Sequence, residues 1–366
     1  MKITIALPFI NLTGGIRVML DYANWMHDAG HEVTVVYPAW PYRFQWTRRQ
    51  QWVEFRKTVA AEERVPWLDV RCPLRRVPLL RAPFVPRADM IVATAWPTVH
   101  DVARLPVSRG TKVHIVMHHE SGSGPEPRIR AIYRLPFRRL AFSHFVRRSI
   151  EEQFGCPIDA VVPNGVDTSL FYPDVDAQPD TVLFLYHPDP RKGSADGIAA
   201  LTRLRERIPR VRIRVAGTVR PERLPDWMPF EFHPGDTALR RLYSSSAVLL
   251  YPSRYEGFGL PPLEAMACGC PSVTTAVGAV TEYASHGRDA LVLRPGDVEA
   301  MTDALVRVIE DPALRGRLSE EGLRTARRWS LERVAPRFAA ALEQLGPDVH
   351  GVGDPRKVPA GTRDIG

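Results

Sequence analysis

Short apolar runs alternate with amphipathic stretches from the first residues onward. Residues 3–7 read as a strand, 11–15 as a glycine-bearing loop, 16–29 as a helix stopped by Gly30, and 32–37 as a second strand. This is a βαβ unit. From 38 to 86 the period is lost. Trp40, Trp46, Trp52 and Trp67 are interleaved there with prolines and arginines, a pattern of loops and short helices that forms either a cover near an acceptor or a tryptophan-rich packed subdomain. Strands return at 90–95 and 112–117, a helix is expected over 138–154, and a short strand at 160–163 runs into the turn Asn164, Gly165, Val166, Asp167.

A second series begins at Thr181 after a polar, proline-marked segment, and the domain boundary falls before it. Strands at 181–186, 211–216, 247–251, 272–275 and 290–293 alternate with helices at 195–208, 236–245, around 280–285 and 298–309. Two helices, 313–328 and 331–345, close the chain. The expected fold class is therefore α/β, with two Rossmann-like, doubly wound parallel-sheet domains, 1–168 and 169–330. Residues 346–366 lack apolar periodicity and read as a disordered tail.

Composition narrows the class without changing this picture. The 366 residues are 45% hydrophobic and 25% charged, enough for two substantial cores. No apolar run reaches the ~18–20 residues of a membrane helix, and the opening MKITIALPFI has no cleavage-like site, so a cytoplasmic location is expected. Cys72, Cys156, Cys268 and Cys270 have neither metal-site spacing nor the density of a disulfide framework. The net charge of +8 is uneven, with about +9 in residues 1–165 and about −1 beyond. Arg75, Arg76 and Arg81, or Arg134, Arg138 and Arg139, could face anionic lipid at the inner membrane surface, a phosphorylated acceptor or plain solvent. Nucleic acid is set aside, because no recognised binding module accompanies the charge.

Candidate chemistry concentrates in residues 251–270, YPSRYEGFGLPPLEAMACGC. Glu256 falls on the loop leaving a strand's carboxyl end. Glu264 falls about one turn into the next helix, whose start is marked by Pro261 and Pro262, and an anion is favoured near that end. Ligands of open parallel sheets bind at this edge. Gly14 and Gly15 sit where the first strand feeds a helix, and form either a phosphate-approaching loop or simply a tight turn. His118, His119 and Glu120 end another strand. Adjacent side chains alternate there, so at most one of the two imidazoles points into a cleft.

Taken together these residues resemble the GT-B glycosyltransferases of the large retaining, family-4-like group. The resemblance rests on the Glu-x7-Glu element EGFGLPPLE followed by MACGCP, on GG with a helix ending GHEVTVV, on HHE at 118–120, on PNGVD at 163–167 with Phe171 and Pro173, and on RKG at 191–193. It implies a donor held in the interdomain cleft mainly by the second domain, an acceptor-side first domain, and a last helix, 331–345, packed back on that first domain. Glu264 would bond the ribose hydroxyls. Glu256 and the backbone of Gly257, Phe258, Gly259 and Leu260 would surround the transferred sugar and diphosphate. A bare helix-capping role is the alternative for Glu264.

Lys192 with Arg191 would neutralise the leaving diphosphate without a metal or other cofactor. The family usually has an arginine five residues before that lysine, where this chain has His187, so either Arg191 or a protonated His187 supplies the second charge. The family's histidine maps on His119, or on His118 with a one-residue shift, and Gly15 would offer its amide to the donor phosphate or shape the acceptor side. The implied reaction moves a hexose or deoxyhexose, with retention, from a UDP, GDP or dTDP sugar to a hydroxyl of a glycan, a lipid-linked sugar or a small-molecule natural product. A sugar-nucleotide epimerase or a non-catalytic nucleotide-sugar binder would share many of these features.

Overall fold

The structure is a computed structural model that describes residues 1–40, 42, 47–121 and 123–346; Trp46 and positions 347–366 of the expected tail lie outside the described residues. The first unit runs β1 (Lys2–Ala6), α1 (Gly14–Asp28), β2 (Glu32–Pro38), α2 (Arg48–Ala60), β3 (Leu74–Val77), β4 (Met90–Ala93) and α3 (Trp96–Ala103). It continues with β5 (Thr111–Val116), α4 (Glu126–Ile132), β6 (Arg138–Ala141), α5 (His144–Phe154) and β7 (Ala160–Val161). The second contains β8 (Gln178–Leu185), α6 (Ser194–Arg207), β9 (Arg212–Gly217), β10 (Phe230–Phe232), α7 (Asp236–Ser244), β11 (Ser246–Tyr251) and α8 (Leu260–Ala267). After these come β12 (Ser272–Thr275), α9 (Val280–Tyr283), β13 (Leu291–Leu293), α10 (Val298–Glu310), α11 (Pro312–Arg328) and α12 (Leu331–Leu345).

The strands form two sheets, ordered β3-β2-β1-β4-β5-β6-β7 and β10-β9-β8-β11-β12-β13, with parallel neighbours throughout. Each order reverses once, between β1 and β4 and between β8 and β11. At such a reversal the crossovers leave in opposite directions and open a crevice beyond the strands' carboxyl ends. The central strands are covered on both faces, which is why β4 (MIVA) and β11 (SAVLLY) are buried from end to end.

Helix α12 leaves the second unit and joins the core of the first. Its buried residues Val334, Ala335, Phe338, Ala341, Leu342 and Leu345 recur at helical spacing and pack with Ile3, Tyr22 and Phe142. Phe338 stacks on Tyr22 with ring centroids 4.2 Å apart.

The structure corrects the local reading in three places. Residues 138–141 are the strand β6, not the start of a helix. Arg139 lies buried with its guanidinium donating to the carbonyls of Tyr133 and Leu135, so an arginine pair reads as surface although the backbone is in the sheet. The stretch 38–86 holds a 13-residue helix, α2, and an edge strand, β3, besides its loops. Its aromatics divide: Trp40, Trp52 and Phe55 cluster on α2, whereas the Trp67 indole donates to Ile10 O on the first core. Finally α3, α4 and β10 occupy segments with no clear period.

Phe338→Ala removes a fully buried ring shared by α12 and α1. The expected loss is about 3–5 kcal/mol, read as an earlier urea midpoint for the first unit of the full chain.

Candidate active site

Loops from both sides of the β8/β11 reversal meet at the carboxyl edge of the second sheet. After β8 the chain passes His187 and turns through residues 190–192, and after β11 it passes Ser253 and Glu256 before entering α8. The two loops are locked together. Arg254 N and Tyr255 N donate to Arg191 O at 2.7 and 3.1 Å, and the Arg254 guanidinium pairs with Asp196 of α6 at 2.7 and 2.8 Å. Gly193 has φ +65°, and a Cβ there would lie 2.0 Å from Pro252 O, so only glycine permits this approach.

Glu256 is the centre of the arrangement and only 8% exposed. Lys192 Nζ donates to its Oε1 and Oε2 at 2.8 and 3.0 Å, Tyr251 OH donates to Oε1 at 2.5 Å, and Ser253 Oγ lies 2.7 Å from Oε1. A carboxylate withdrawn from water thus keeps a cation and two hydroxyls as partners. Tyr251 is buried, and burial followed by the Glu256 charge pushes its phenol well above the ordinary range, so it stays protonated and can donate to Glu256.

Glu264 sits on α8, half-buried, with Tyr243 OH donating to Oε2 at 2.9 Å. Burial raises its pKa above the usual carboxylate range, while Arg17 and the Tyr243 hydrogen bond pull it back. Of the intervening residues, Phe258 turns its ring into the core against Tyr283 and Trp329, leaving only its backbone to a ligand. The Gly259 carbonyl accepts from Tyr283 OH at 2.5 Å, and Leu260 packs against the cores of both units.

The first unit closes over this edge. A Cβ on Gly257 would lie 2.1 Å from Met117 O and 3.0 Å from His118 Cβ, so the two backbones touch through glycine. Tyr255 OH accepts from His119 N at 2.9 Å, and Ser143 Oγ donates to Gly257 O at 3.2 Å. Glu282 caps α5 by accepting from His144 N and Phe145 N at 3.1 and 2.7 Å. Gly15 adjoins Met117 Sδ at the start of α1. Thr13 takes the amides of Ile16 and Arg17 there, which leaves those of Gly14 and Gly15 without a helical partner.

Of the two histidines, His118 is the one beside the Lys192 and Glu256 pair. It reaches solvent through the cleft while both units pack around it, and desolvation followed by Arg191 and Lys192 holds its pKa below the ordinary imidazole value. The His119 ring turns the other way. It stacks on Phe154 at 5.3 Å and accepts from Ser121 N at 3.2 Å. Glu120 is buried, accepts from Trp96 N at the start of α3, and is pushed up to about 8 by burial. Arg191 is exposed and forked onto Asp189 at 2.7 and 3.0 Å, whereas the His187 ring accepts from Asp189 N at 3.1 Å. Burial and then Lys192 lower the His187 pKa, which disfavours its cationic form.

Tyr251, Ser253, Tyr243, Arg17 and Asp236 belong to this site and were not legible as such. Only Tyr251 and Ser253, five and three positions before Glu256, gave a signal. Among the described residues no group of three or more His, Cys, Asp or Glu is placed to hold a metal ion, and no helix is long and apolar enough to cross a membrane.

Two protein families match this chain: Glycosyltransferase Family 4 over residues 12–170 and Glycosyl transferases group 1 over 179–311. The MMP alpha-(1->4)-mannosyltransferase of Mycolicibacterium hassiacum is 34% identical over 198 residues, 50% of this chain; the chain spans about half, 48%, of that relative's length. The phosphatidyl-myo-inositol mannosyltransferase of Mycolicibacterium smegmatis is 27% identical over 345 residues, 86% of each chain. Among solved structures, Anabaena HepE in complex with UDP and glucose superposes with a TM-score of 0.72 at 17% identity, over 94% of this chain and 99% of that one.

The neutral state of His118 is open to a direct check. In an NMR titration its imidazole should titrate below the ordinary value of about 6.5. In Lys192→Met the midpoint should rise, because a like charge that disfavours protonation is gone.

Proposed function

This chain belongs to the GT-B glycosyltransferases of the family-4 type, and from that premise we propose that it transfers a hexose or deoxyhexose, with retention, from a nucleoside diphosphate sugar to a hydroxyl acceptor. The observation that carries the reading is the pairing of Lys192 with the buried Glu256 at the β8/β11 reversal, faced across the cleft by His118. Relatives named as mannosyltransferases support a hexose, and a neighbour holding UDP and glucose supports a nucleotide donor.

In this reading Glu264 accepts the two ribose hydroxyls, for which an ionised carboxylate has enough lone pairs. Lys192 moves from Glu256 to the diphosphate as negative charge builds on the leaving group. The free amides of Gly14 and Gly15, at the positive end of α1, add to the same field. Glu256, held by Tyr251 and Ser253, orients the sugar. Both glutamates lie on one side of the cleft, so the paired-carboxylate logic of glycosidases does not transfer. His118, neutral and beside this group, is the imidazole we assign to the transferred sugar, with His119 supporting the loop through Phe154 and Tyr255. Closure of the first unit excludes water, which would otherwise compete as acceptor. Metal-free neutralisation by Lys192 is part of the proposal.

Transfer is checked by incubating the chain with UDP, GDP and dTDP sugars and candidate acceptors, reading the anomeric configuration of the product by NMR. Glu256→Ala and Glu264→Ala are each expected to lose at least about 100-fold in turnover while staying folded. Lys192→Ala should weaken nucleoside diphosphate binding but not nucleoside binding. Epimer formation from donor alone would favour an epimerase, and donor binding without turnover a binder; either would overturn the transferase reading.

We also propose that the acceptor is met at an anionic lipid surface. Helix α2 has no buried residue, carries Arg48, Arg49, Arg56 and Lys57, and exposes Trp52, Val53 and Val59; Leu79 and Phe84 are exposed after β3. The chain should sediment with vesicles containing phosphatidylglycerol and not with phosphatidylcholine alone. Trp52→Ala combined with Arg48→Glu should release it; sedimentation unaffected by either change would refute the assignment.

A further inference from the structure

Helix α1 directs one cation across the cleft at the carboxylates of the second unit. Arg17 Nη1 and Nη2 donate to the two oxygens of Asp236, the second at 2.9 Å, and its Nε lies 3.6 Å from Asp21 Oδ2. Asp236 is the first residue of α7, the helix that also supplies Tyr243 to Glu264. Arg17, Asp21, Asp167, Leu260 and Glu264 line one small cavity between the units.

The charges around Glu264 are lopsided. Asp236 and Tyr243 face it from α7, Asp21 from α1, Tyr251 from β11, Cys268 from the end of α8 and Tyr283 from α9, with Asp167 reaching Asp21 from the loop after β7. Arg17 is the cation among these groups. A half-buried carboxylate with acidic neighbours drifts toward its protonated form unless a positive charge stands close. Protonated, it has fewer lone pairs with which to accept two hydroxyls.

We propose that Arg17 is a positioning residue for the nucleotide: from the first unit it keeps Glu264 ionised for the ribose and, through Asp236, makes domain closure a part of nucleotide binding. The inference rests on the ribose role of Glu264 proposed above. It also couples the two units in one direction. An open cleft withdraws Arg17, leaves Glu264 among acids and weakens its hold on the ribose. A closed cleft restores the cation and the grip together.

The test is calorimetric binding of UDP and of GDP to the full chain between pH 6 and pH 8. Burial, followed by the fields of its neighbours, places the Asp21 carboxyl at about 7, inside this window, so every arm is repeated in an Asp21→Asn background. For Arg17→Met the affinity should fall about tenfold or more at pH 6 and by less at pH 8, because Glu264 now protonates as pH falls. Arg17→Lys should recover most of the loss at pH 6. Asp236→Asn, which spares the cation, should lower affinity by a similar factor at both pH values. In transfer assays Arg17→Met should raise the donor KM with kcat changed less than about threefold.

Unchanged affinity in Arg17→Met, or a loss equal at pH 6 and pH 8, would overturn the proposal. So would a pH-dependent loss that persists when Glu264→Gln is combined with Arg17→Met. Should Arg17→Met not fold, Arg17→Lys and Asp236→Asn carry the same comparison. A Glu264→Gln chain that binds nucleotide like the wild type would remove the ribose role itself, a failure separate from that of Arg17.

Discussion

A carboxylate taken out of water must receive its hydrogen bonds from the protein, and the fold around the cleft is arranged to supply them to Glu256. The three donors come from separate places: Lys192 from the loop after β8, Tyr251 from the last residue of β11, and Ser253 from the loop that follows β11. Bringing them to one point requires the β8 and β11 loops to touch, which the Gly193 approach to Pro252 and the Arg254–Asp196 pair secure. Stripping one partner from such a group would leave a buried charge short of its solvation, a cost of several kcal/mol. Lys192 is accordingly paired with Glu256. In the proposed reaction a diphosphate offers that lysine a second anion, so donor binding and release of the Glu256 carboxylate toward the sugar are one exchange.

Much of this was legible because buried parallel strands are continuous apolar runs and their helices carry plain terminators. The Glu-x7-Glu stretch was legible for the same reason: Ala247 to Tyr251 is an unbroken apolar strand, and the proline pair starts the helix. β6 was hidden because Arg139 satisfies its guanidinium on backbone carbonyls inside the protein, which composition cannot distinguish from a solvated arginine. β3 (LRRV) and β10 (FEF) are short edge strands that carry charge at their centres, which edges tolerate and sequence reads as loop. The partners of the glutamates were illegible for a different reason. Arg17 and Asp236 are 219 positions apart, and nothing local marks either as half of a pair.

The histidines show how two adjacent side chains part company where the backbone bends. The chain leaves β5 and bends at His118; Phe154 and Ser121 hold the His119 ring, while His118 lies beside Lys192 and Glu256. The close approach of Gly257 to Met117 O then sets His118 beside the glutamate loop. A side chain at position 257 would hold the units apart and separate His118 from the Lys192 and Glu256 pair.

The replacement of the usual arginine by His187 bears on how the negative charge of a leaving diphosphate is met. The His187 ring accepts an amide hydrogen bond and its cationic form is disfavoured, first by burial and then by Lys192. Arg191 is present but already forked onto Asp189, so its charge reaches a ligand only after that exposed pair gives way, and an exposed pair is worth little in water. In the proposed reaction the positive field at the diphosphate is thus Lys192 together with the amides of Gly14 and Gly15, which belong to the first unit. In that proposal, a donor site with a histidine at position 187 leans more heavily on closure for the remaining field. This is the same dependence that Arg17 introduces on the ribose side, so both ends of the proposed donor site would be completed by the opposite domain.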